Sequence, residues 1–471
     1  MGMAVGENSE STGAKQQEAI KAYGRAAGYL EEARKNYAST TPTFSKDGEA
    51  FYLECADLHL QAASKAREKG NSQKEEQSSL QTAINSIELR NENGLQNYFE
   101  DECVTKRRQQ DKQQLQEDTA LFYPVVLSDR LELVLKFMDG TIVQKTLRYP
   151  LNGGQFTVKN KNDLANLVET FRQITEGSQD RGLAEKFYEW LIKPIKPTTE
   201  QLLRGEIKTL LIIPSRELLS IPFSALVNYE SEKYLIEEGY AIAILPNWSL
   251  VAMVDNRQKK EDHALLNGLI QKQTTINQRS LRRDDIQIVD KDFCQNEGLQ
   301  FAGQEITEVG KMITSNEVLL GKQFTTEEMK KKLKTANYSI IHFSTHGEFD
   351  KNHEDSFLYT CDKRLSLNEL EEILQDQELN LLTFSACETA LGAELGLAGI
   401  FVKEGVKSAL GSLWKVDDES TQLLMSNFYK EWRVNKLSKA QALRASQMEL
   451  IKNHKGPSRW AGFLLTGNWL P

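Results

Sequence analysis

The sequence predicts an α/β fold with a mainly parallel sheet flanked by helices, preceded by an all-helical segment and a β-hairpin. From residue 207 onward, short apolar runs alternate with helical stretches, and these runs are IKTLLIIP, AIAILP, YSIIHFS, LNLLTFS and VKSALGSLW. Strands that are apolar on both faces and separated by helices are typical of a parallel sheet covered on two sides. Upstream of residue 207 the apolar residues recur with other periods, which indicate the helical segment and the hairpin.

Residues 15–117 are predicted to be helical. Their apolar residues form three stripes at helical spacing: Ile20, Tyr23, Ala27 and Leu30; Phe51, Cys55, Leu58 and Ala62; Leu80, Ala83, Ile84 and Ile87. The segment STTPTFSKDGEA between the first two stripes contains residues that break helices. Antiparallel helix pairs indicate a tetratricopeptide-like interaction module, or the end of a longer array, since no clear repeat is present. Residues 1–14, rich in Gly, Ser and Glu, are predicted to be a disordered tail.

Residues 118–200 are predicted to lead into the α/β domain, which would then occupy residues 201–471. Leucines at 131, 133 and 135 alternate with other residues, as in a half-buried strand, and Asp139 and Gly140 supply a hairpin turn. Residues 142–147 would form the return strand, and helices are expected around 164–171 and 187–191. The polar, charged stretch 256–300 is predicted to be a surface insertion.

Composition narrows the class of protein. The chain has 471 residues, a formal net charge of −9, 39% hydrophobic residues and 27% charged residues, which is globular usage with room for two to four domains. The acidic balance argues against a nucleic-acid binder. No apolar run is long enough for a membrane span, and the first residues lack the layout of a signal peptide, so we expect a cytoplasmic protein.

The cysteines give no sign of a disulfide framework or a zinc cluster. There are five of them, at positions 55, 103, 294, 361 and 387. Their number is odd, they are widely scattered, and no two of them form a CxxC pair. The sequence therefore suggests neither kind of structure, which agrees with a cytoplasmic protein.

Two strand ends carry residues that suit catalysis. His346 follows YSIIHFS and Cys387 follows LNLLTFS, with a predicted crossover helix at 367–374 between them. Catalytic groups gather at the carboxyl ends of parallel strands, so an imidazole and a thiol are predicted to lie side by side. A thiol beside an imidazole becomes a thiolate nucleophile near neutral pH. The backbone N–H groups of Gly347 and Cys387 are the candidate oxyanion hole.

Other interpretations of these residues stay open at this point. A lone cysteine after an apolar strand is more often a small core residue than a nucleophile. His342 lies within an apolar run and is predicted to be a core histidine with a satisfied hydrogen bond. His342 and His346 do not share a face as they would on a helix, which disfavours a metal site. His353, in a polar loop, is a minor competitor for the role of the base.

Four blocks of sequence, in order, resemble the CHAT domain over about residues 118–471. They are YSIIHFSTHGEF, LLTFSACETALG, LGLAGIFVKEGVKSALGSLWKVDDEST and WAGFLLTGNW. This family comprises caspase-like cysteine peptidases related to separase, often carried behind tetratricopeptide repeats. The resemblance implies a caspase-like core, with His346 as the catalytic histidine and Cys387 as the nucleophile. It implies neither an obligatory third acid nor a cofactor or metal.

We therefore expect a cysteine endopeptidase that cleaves protein substrates after a basic residue. In separase-like relatives an acid at the position matching Asp418 lines the pocket for that residue, and Asp417 is the neighbouring candidate. Either aspartate could instead cap the helix that follows. The expected partners are a protein substrate and a regulatory protein bound through the helical module, with neither nucleic acid nor membrane. The alternative is a non-catalytic interaction protein on a peptidase-like fold, which the intact His-Gly and Ser-Ala-Cys motifs disfavour.

Overall fold

The fold is built around one large sheet. A computed structural model describes the following parts of the chain: residues 18–26, 28–29, 43–70, 73–99, 118–153, 156–177, 181–196, 206–248, 262–270, 298–348, 356–375, 377–385 and 405–471. Within these ranges, eleven strands form a single sheet, and three smaller sheets stand beside it.

The strands follow the chain in this order: β1 Thr119–Val126, β2 Arg130–Lys136, β3 Ile142–Arg148, β4 Leu151–Gly153, β5 Phe156–Val158, β6 Thr209–Ile212, β7 Val227–Asn228, β8 Lys233–Tyr234, β9 Ala241–Ile244, β10 His263–Gly268, β11 Ser315–Leu320, β12 Ile340–Ser344, β13 Gly347–Glu348, β14 Phe357–Tyr359, β15 Arg364–Ser366, β16 Leu381–Ser385, β17 Ser408–Ser412 and β18 Phe463–Gly467. The large sheet has the order β11-β10-β12-β16-β17-β18-β9-β6-β1-β2-β3.

The large sheet consists of two parallel blocks that run in opposite directions. In the first, β11, β10, β12, β16 and β17 are all parallel; we call it the site block. In the second block, β18, β9, β6 and β1 are parallel to one another. The blocks meet at the antiparallel pair β17–β18, and β2 and β3 extend the second block antiparallel to the far edge. The carboxyl ends of the site block therefore lie at one edge of the sheet.

Residues 18–26 are helical, and nine α-helices have both ends within the described ranges: α1 Thr43–Glu68, α2 Gln73–Phe99, α3 Lys161–Gly177, α4 Gly182–Leu191, α5 Ala302–Met312, α6 Thr326–Thr335, α7 Leu367–Leu374, α8 Asp418–Tyr429 and α9 Lys439–Lys452. Helix α8 contacts both α5 and α9, and α9 also packs on β9 and β18. Helix α6 packs against α7. These helices bury a continuous apolar core against the sheet, as an α/β architecture requires.

The predicted strands and helices are confirmed where the sequence pattern was strongest. All five apolar runs from residue 207 onward contain a buried strand, and both predicted helices between residues 160 and 192 are present. Helix α7 covers the predicted segment because Ser366 and Glu369 form a reciprocal capping box at its start. The first glycine of the motif WAGFLLTGNW, Gly462, is required by packing. A Cβ at this position would lie 2.8 Å from the Trp414 ring.

Two sequence predictions about surface exposure are wrong. The stretch 256–300 is not purely a surface insertion, because β10 lies inside it and is paired on both sides, with β11 and β12. Strand β2 is buried on both faces rather than one. Its alternate residue Glu132 is 1% exposed and accepts hydrogen bonds from Arg130 (2.6 Å), Gln144 (2.9 Å) and Thr146 (2.8 Å). These partners compensate the cost of burying its charge.

The helical pair α1–α2 packs on the outer strands of the second block. Tyr123 on β1 donates to Glu88 on α2 (2.9 Å), and Arg130 on β2 pairs with Asp57 on α1. The Gln77 side chain donates to the Ile142 carbonyl (2.9 Å) and accepts from the Ile142 N–H (2.8 Å). It therefore satisfies part of the edge of β3 as a neighbouring strand would.

The predicted stripes of this helical pair are only partly confirmed. The stripe on α2 is buried as predicted, whereas on α1 the buried face is shifted to include Tyr52, Ala56 and Leu60. The predicted break is also too long, because α1 already begins at Thr43. The division into domains at residues 117 and 200 stays a prediction.

Candidate active site

His346 lies at the carboxyl edge of the site block, two residues beyond the end of β12. Its carbonyl accepts a hydrogen bond from the Tyr359 N–H (2.9 Å). Its half-buried imidazole stands edge-on to the Tyr359 ring, with centroids 6.3 Å apart and planes at 90°. The Tyr359 hydroxyl donates to Glu348 (2.8 Å), and burial raises the pKa of Tyr359 to about 12. The imidazole is thus positioned by the small sheet β13–β14–β15.

The strands that lead to the two predicted catalytic residues are direct neighbours. Strands β12 and β16 are parallel, and Ser344 is the register partner of Ser385. Thr345 continues this contact, since its N–H donates to the Ser385 carbonyl (3.3 Å) and its hydroxyl donates to the Tyr359 carbonyl (2.6 Å). Cys387 itself lies outside the described residues, as does His353.

Gly347 begins β13 immediately after the histidine. It is the register partner of Leu358 on β14. Because the preceding pair, His346 and Tyr359, exchanges a backbone hydrogen bond, Gly347 and Leu358 form the alternate pair of an antiparallel ladder. In such a pair the N–H is directed away from the partner strand, so the Gly347 N–H points away from β14.

Asp418, the first residue of α8, has two differently placed carboxylate oxygens. Its Oδ2 accepts a hydrogen bond from the Phe301 N–H (2.8 Å), which joins the start of α5 to the start of α8. Its Oδ1 is buried and has no hydrogen-bond partner among the described residues. Burial raises the pKa of Asp418 and the nearby Glu305 carboxylate raises it further, whereas the backbone N–H groups of Phe301 and Gln300 and, more weakly, the His346 imidazole oppose this rise. A carboxylate near His346 thus retains an unused acceptor.

Asp417 caps helix α8. Its side chain accepts a hydrogen bond from the Ser420 N–H (3.1 Å), and its other oxygen pairs with Arg459. Both oxygens therefore have partners within the protein. The helix-cap interpretation of the sequence holds for Asp417, whereas one oxygen of Asp418 has no hydrogen-bond partner in the part of the chain that the structure describes.

His342 is a core histidine with satisfied nitrogens, as the sequence predicted. It is fully buried on β12, and its Nε2 lies 2.7 Å from the carboxylate of Glu305 on α5. The second oxygen of Glu305 accepts from the Ser344 hydroxyl (3.1 Å). The His342 Nδ1 lies 3.2 Å from the Tyr429 hydroxyl, which lies 3.0 Å from Thr383 Oγ1 on β16. A buried chain of polar groups thus runs beneath the candidate site.

One of the five cysteines forms a disulfide, although the sequence suggests no disulfide framework. Cys361, in the turn between β14 and β15, is disulfide-bonded, whereas Cys55 is free and buried. The spacing of the cysteines gave no sign of this bond. Among the described residues, no group of three or more His, Cys, Asp or Glu side chains could hold a metal ion. No helix in these ranges is long and apolar enough to cross a membrane.

Comparison with known protein families identifies the family of this chain. A family model described as the CHAT domain matches residues 181–468, which is more than half of the chain. The chain belongs to the CHAT family. The sequence of this CHAT protein has no detectable match among curated proteins.

Solved structures show what fold this CHAT protein shares. The Saccharomyces cerevisiae separase–securin complex matches in two crystal structures, with TM-scores of 0.50 and 0.47 and 12% identity in both. These matches cover 95% and 89% of this chain but 37% of the separase chain, so the chain spans about a third of its length. The Arg-specific cysteine proteinase gingipain R matches with a TM-score of 0.40 and 9% identity, covering 66% of this chain and 75% of its own. The fold is therefore α/β and caspase-like, with a helical segment preceding the sheet.

Sequence reasoning missed two residues near the site. Glu305 lies 37 residues from His342 in the chain, and nothing in the local pattern of α5 indicates that it faces a strand. Tyr359 follows a polar loop, with no signal that its strand returns beside His346. One indication was available for Glu305: a histidine inside an apolar strand requires a buried partner.

Proposed function

We propose that this CHAT protein is a cysteine endopeptidase in which Cys387 is the nucleophile and His346 is the general base. The neighbouring ends of β12 and β16 carry this proposal. Since Ser344 and Ser385 are register partners, His346 and Cys387 each follow a paired residue by two positions. In the proposed reaction the thiolate attacks the scissile carbonyl, and the imidazolium then protonates the leaving amine.

The proposed oxyanion hole uses the N–H groups of Gly347 and Cys387. The ladder of β13 and β14 supports the first of these, because it leaves the Gly347 N–H directed away from the partner strand. A glycine here also lets a substrate carbonyl approach the backbone closely. Two donors aimed at the developing charge would stabilise the tetrahedral intermediate.

Asp418 is the proposed determinant of cleavage after arginine. Its buried Oδ1 has no hydrogen-bond partner among the described residues, and an unpaired buried carboxylate gains much from a guanidinium. A neutral side chain would leave this carboxylate buried and unpaired, so the pocket should select against substrates with a neutral side chain at this position. Lysine, a point charge without a planar fork, should be the weaker substrate.

Peptide-library cleavage followed by mass spectrometry tests this proposal. Wild type, Cys387→Ala and His346→Ala are incubated with the library under reducing conditions, which keep the Cys387 thiol free to react. Wild type should cut after Arg, and each variant should lose at least roughly 10³-fold in rate. Equal cleavage by Cys387→Ala would overturn the proposal, and preference for Asp or a large apolar residue would remove Asp418 from it.

The proposal extends to a regulatory protein bound through the helical pair α1–α2. The separase of the matched structure is itself in complex with securin. Charge reversal of two exposed residues where α1 ends and α2 begins, Lys69→Glu with Glu75→Lys, should slow cleavage of native protein substrates found by mass spectrometry. Cleavage of short peptides should not change. Equal slowing of both kinds of substrate would leave the pair with only a structural role.

A further inference from the structure

The buried polar chain under the candidate site joins the two strands that matter most for the proposed reaction. Glu305 bonds to His342 and Ser344 on β12, and Tyr429 continues the chain from His342 to Thr383 on β16. Strand β12 leads to His346 and strand β16 leads to Cys387. Glu305 lies on α5 and Tyr429 at the end of α8, so β12 is tied to both helices and β16 is tied to α8.

We propose that Glu305 and Tyr429 are positioning residues, which fix the ends of β12 and β16 relative to each other so that His346 and Cys387 meet in register. This inference rests on the proposed function. Side chains at positions 342 and 344 lie on one face of β12, and both donate to the single carboxylate of Glu305. That carboxylate therefore holds the strand up to its last residue, two positions before His346.

The buried polar chain keeps its hydrogen bonds in either charge state of His342. With a neutral imidazole, the Nε2–H donates to Glu305, and the Nδ1 accepts the Tyr429 hydroxyl proton while Tyr429 accepts from Thr383. With an imidazolium, the Nδ1–H donates to Tyr429, which then donates to Thr383. Since every member is fully or almost fully buried, no water competes for these positions. The geometry is therefore held in both states.

The same two helices are also joined directly at their starts. Asp418 at the start of α8 accepts from the Phe301 N–H at the start of α5. Helices α5 and α8 also contact each other along their length. The proposed histidine, nucleophile and arginine pocket are thus attached to one support, and loosening the polar chain should move the first two relative to each other.

Tyr429→Phe is the conservative test, because it removes one oxygen and leaves the ring in place; Glu305→Gln is the second variant, because it keeps the shape and removes the charge. Tyr338→Phe is the matched control. Tyr338 is also buried, and its hydroxyl donates to Glu317 (3.0 Å), which is not a member of the buried polar chain. All are compared with wild type at equal folded fraction, set from urea unfolding.

Amide hydrogen exchange at residues 344–348 is the first readout, with the β6 and β9 amides as the reference for global unfolding. Tyr429→Phe and Glu305→Gln should speed exchange at 344–348 about tenfold beyond that reference, and kcat on an Arg peptide should fall about tenfold with KM within twofold. Tyr338→Phe should change neither. If wild type shows no Cys387-dependent cleavage, the proposed function fails and exchange alone decides positioning. Unchanged exchange at 344–348 in both variants overturns the inference.

Discussion

The site block and the second block of the sheet bury different side chains. Strands β6 and β9 of the second block are buried throughout, and Thr209 is their one polar residue. The strands β10, β12 and β16 of the site block bury five polar side chains: Asn267, His342, Ser344, Thr383 and Ser385. Two parallel strands at the centre of the second block therefore pack without a buried polar chain, and the buried polar network of that block lies on its antiparallel strands, around Glu132. A buried polar chain costs free energy wherever a bond is missing, so its place between β12 and β16 supports the proposal that it serves the site.

The largest expected effect comes from a core substitution in the second block. Leu211 on β6 is fully buried between β1 and β9, where it is the register partner of Leu121 and Ala243. Leu211→Ala should lower the free energy of unfolding by about 2–5 kcal/mol, because it leaves a cavity. Urea unfolding measures this loss, and cleavage per folded molecule should stay at the wild-type rate. A drop in that rate would show that the second block also shapes the site.

The next largest effect lies beside the site block, at the start of α8. Asp418→Asn should reduce kcat/KM for an Arg peptide by about 100-fold relative to a neutral peptide, because it removes the charge that we propose pairs with the guanidinium. Fluorogenic peptides that differ only at that residue give the ratio. Asp417→Asn is the matched control, since asparagine caps a helix as well as aspartate does. If Asp417→Asn, rather than Asp418→Asn, loses the Arg preference, the two roles are exchanged.

A smaller effect is expected near the junction of the two blocks, where β17 pairs with β18. Lys439 is fully buried at the start of α9 and donates to the carbonyls of Asn468 (3.4 Å) and Leu470 (2.7 Å), just beyond β18. Burial lowers the pKa of Lys439 to about 7 from its ordinary 10.5. Between these values the unfolded chain binds the extra proton, so the free energy of unfolding rises with pH across this window. Below pH 7 the full penalty remains.

Lys439→Met should remove that slope. The difference in unfolding free energy between wild type and Lys439→Met should change by about 1.4 kcal/mol per pH unit from pH 7.5 to 9.5, in favour of wild type at high pH. Urea unfolding at several pH values measures it, with Lys452→Met, an exposed lysine of the same helix, as the control for loss of one charge. Parallel curves for wild type and Lys439→Met would mean that the amine stays protonated in the folded protein.

The smallest effect concerns the outer edge of the second block. Gln77→Ala removes both side-chain hydrogen bonds to the Ile142 backbone and should cost about 1–2 kcal/mol of unfolding free energy. Gln73→Ala, an exposed position one turn earlier on the same helix, should cost less than about 0.5 kcal/mol. Urea unfolding compares the two. Equal costs would show that Gln77 does not protect the edge of β3, and neither variant should affect the cleavage rate per folded molecule.

The sequence allowed the parallel strands to be predicted because burial on both faces leaves an apolar run that few other structures produce. The same rule failed for β10, where a short apolar run stands between charged residues and was taken for part of an insertion. It also failed for β11, which lies at the edge of the sheet and is largely polar. Whether a strand lies at the edge or in the interior of the sheet depends on the whole fold, and the local sequence pattern does not reveal it.

The candidate site could be predicted only where position along a strand was enough. His346 was found because it follows an apolar run directly, and its half-buried position at the carboxyl edge of β12 agrees with this. The partners of the site came from distant parts of the chain: Glu305 reaches β12 from α5, and Tyr359 returns on β14 beside the imidazole. Such contacts depend on packing between elements, which spacing within one element does not encode.

The pH dependence of Cys387 alkylation tests the central claim most directly, because it needs neither a substrate nor a partner. Iodoacetamide is reacted with reduced wild type and with His346→Ala, and modification of Cys387 is followed by mass spectrometry. If His346 activates the thiol, the pKa of Cys387 in wild type should lie well below the ordinary value of about 8.5 and return toward it in His346→Ala. A Cys387 pKa at or above about 8.5 in both proteins would contradict the account.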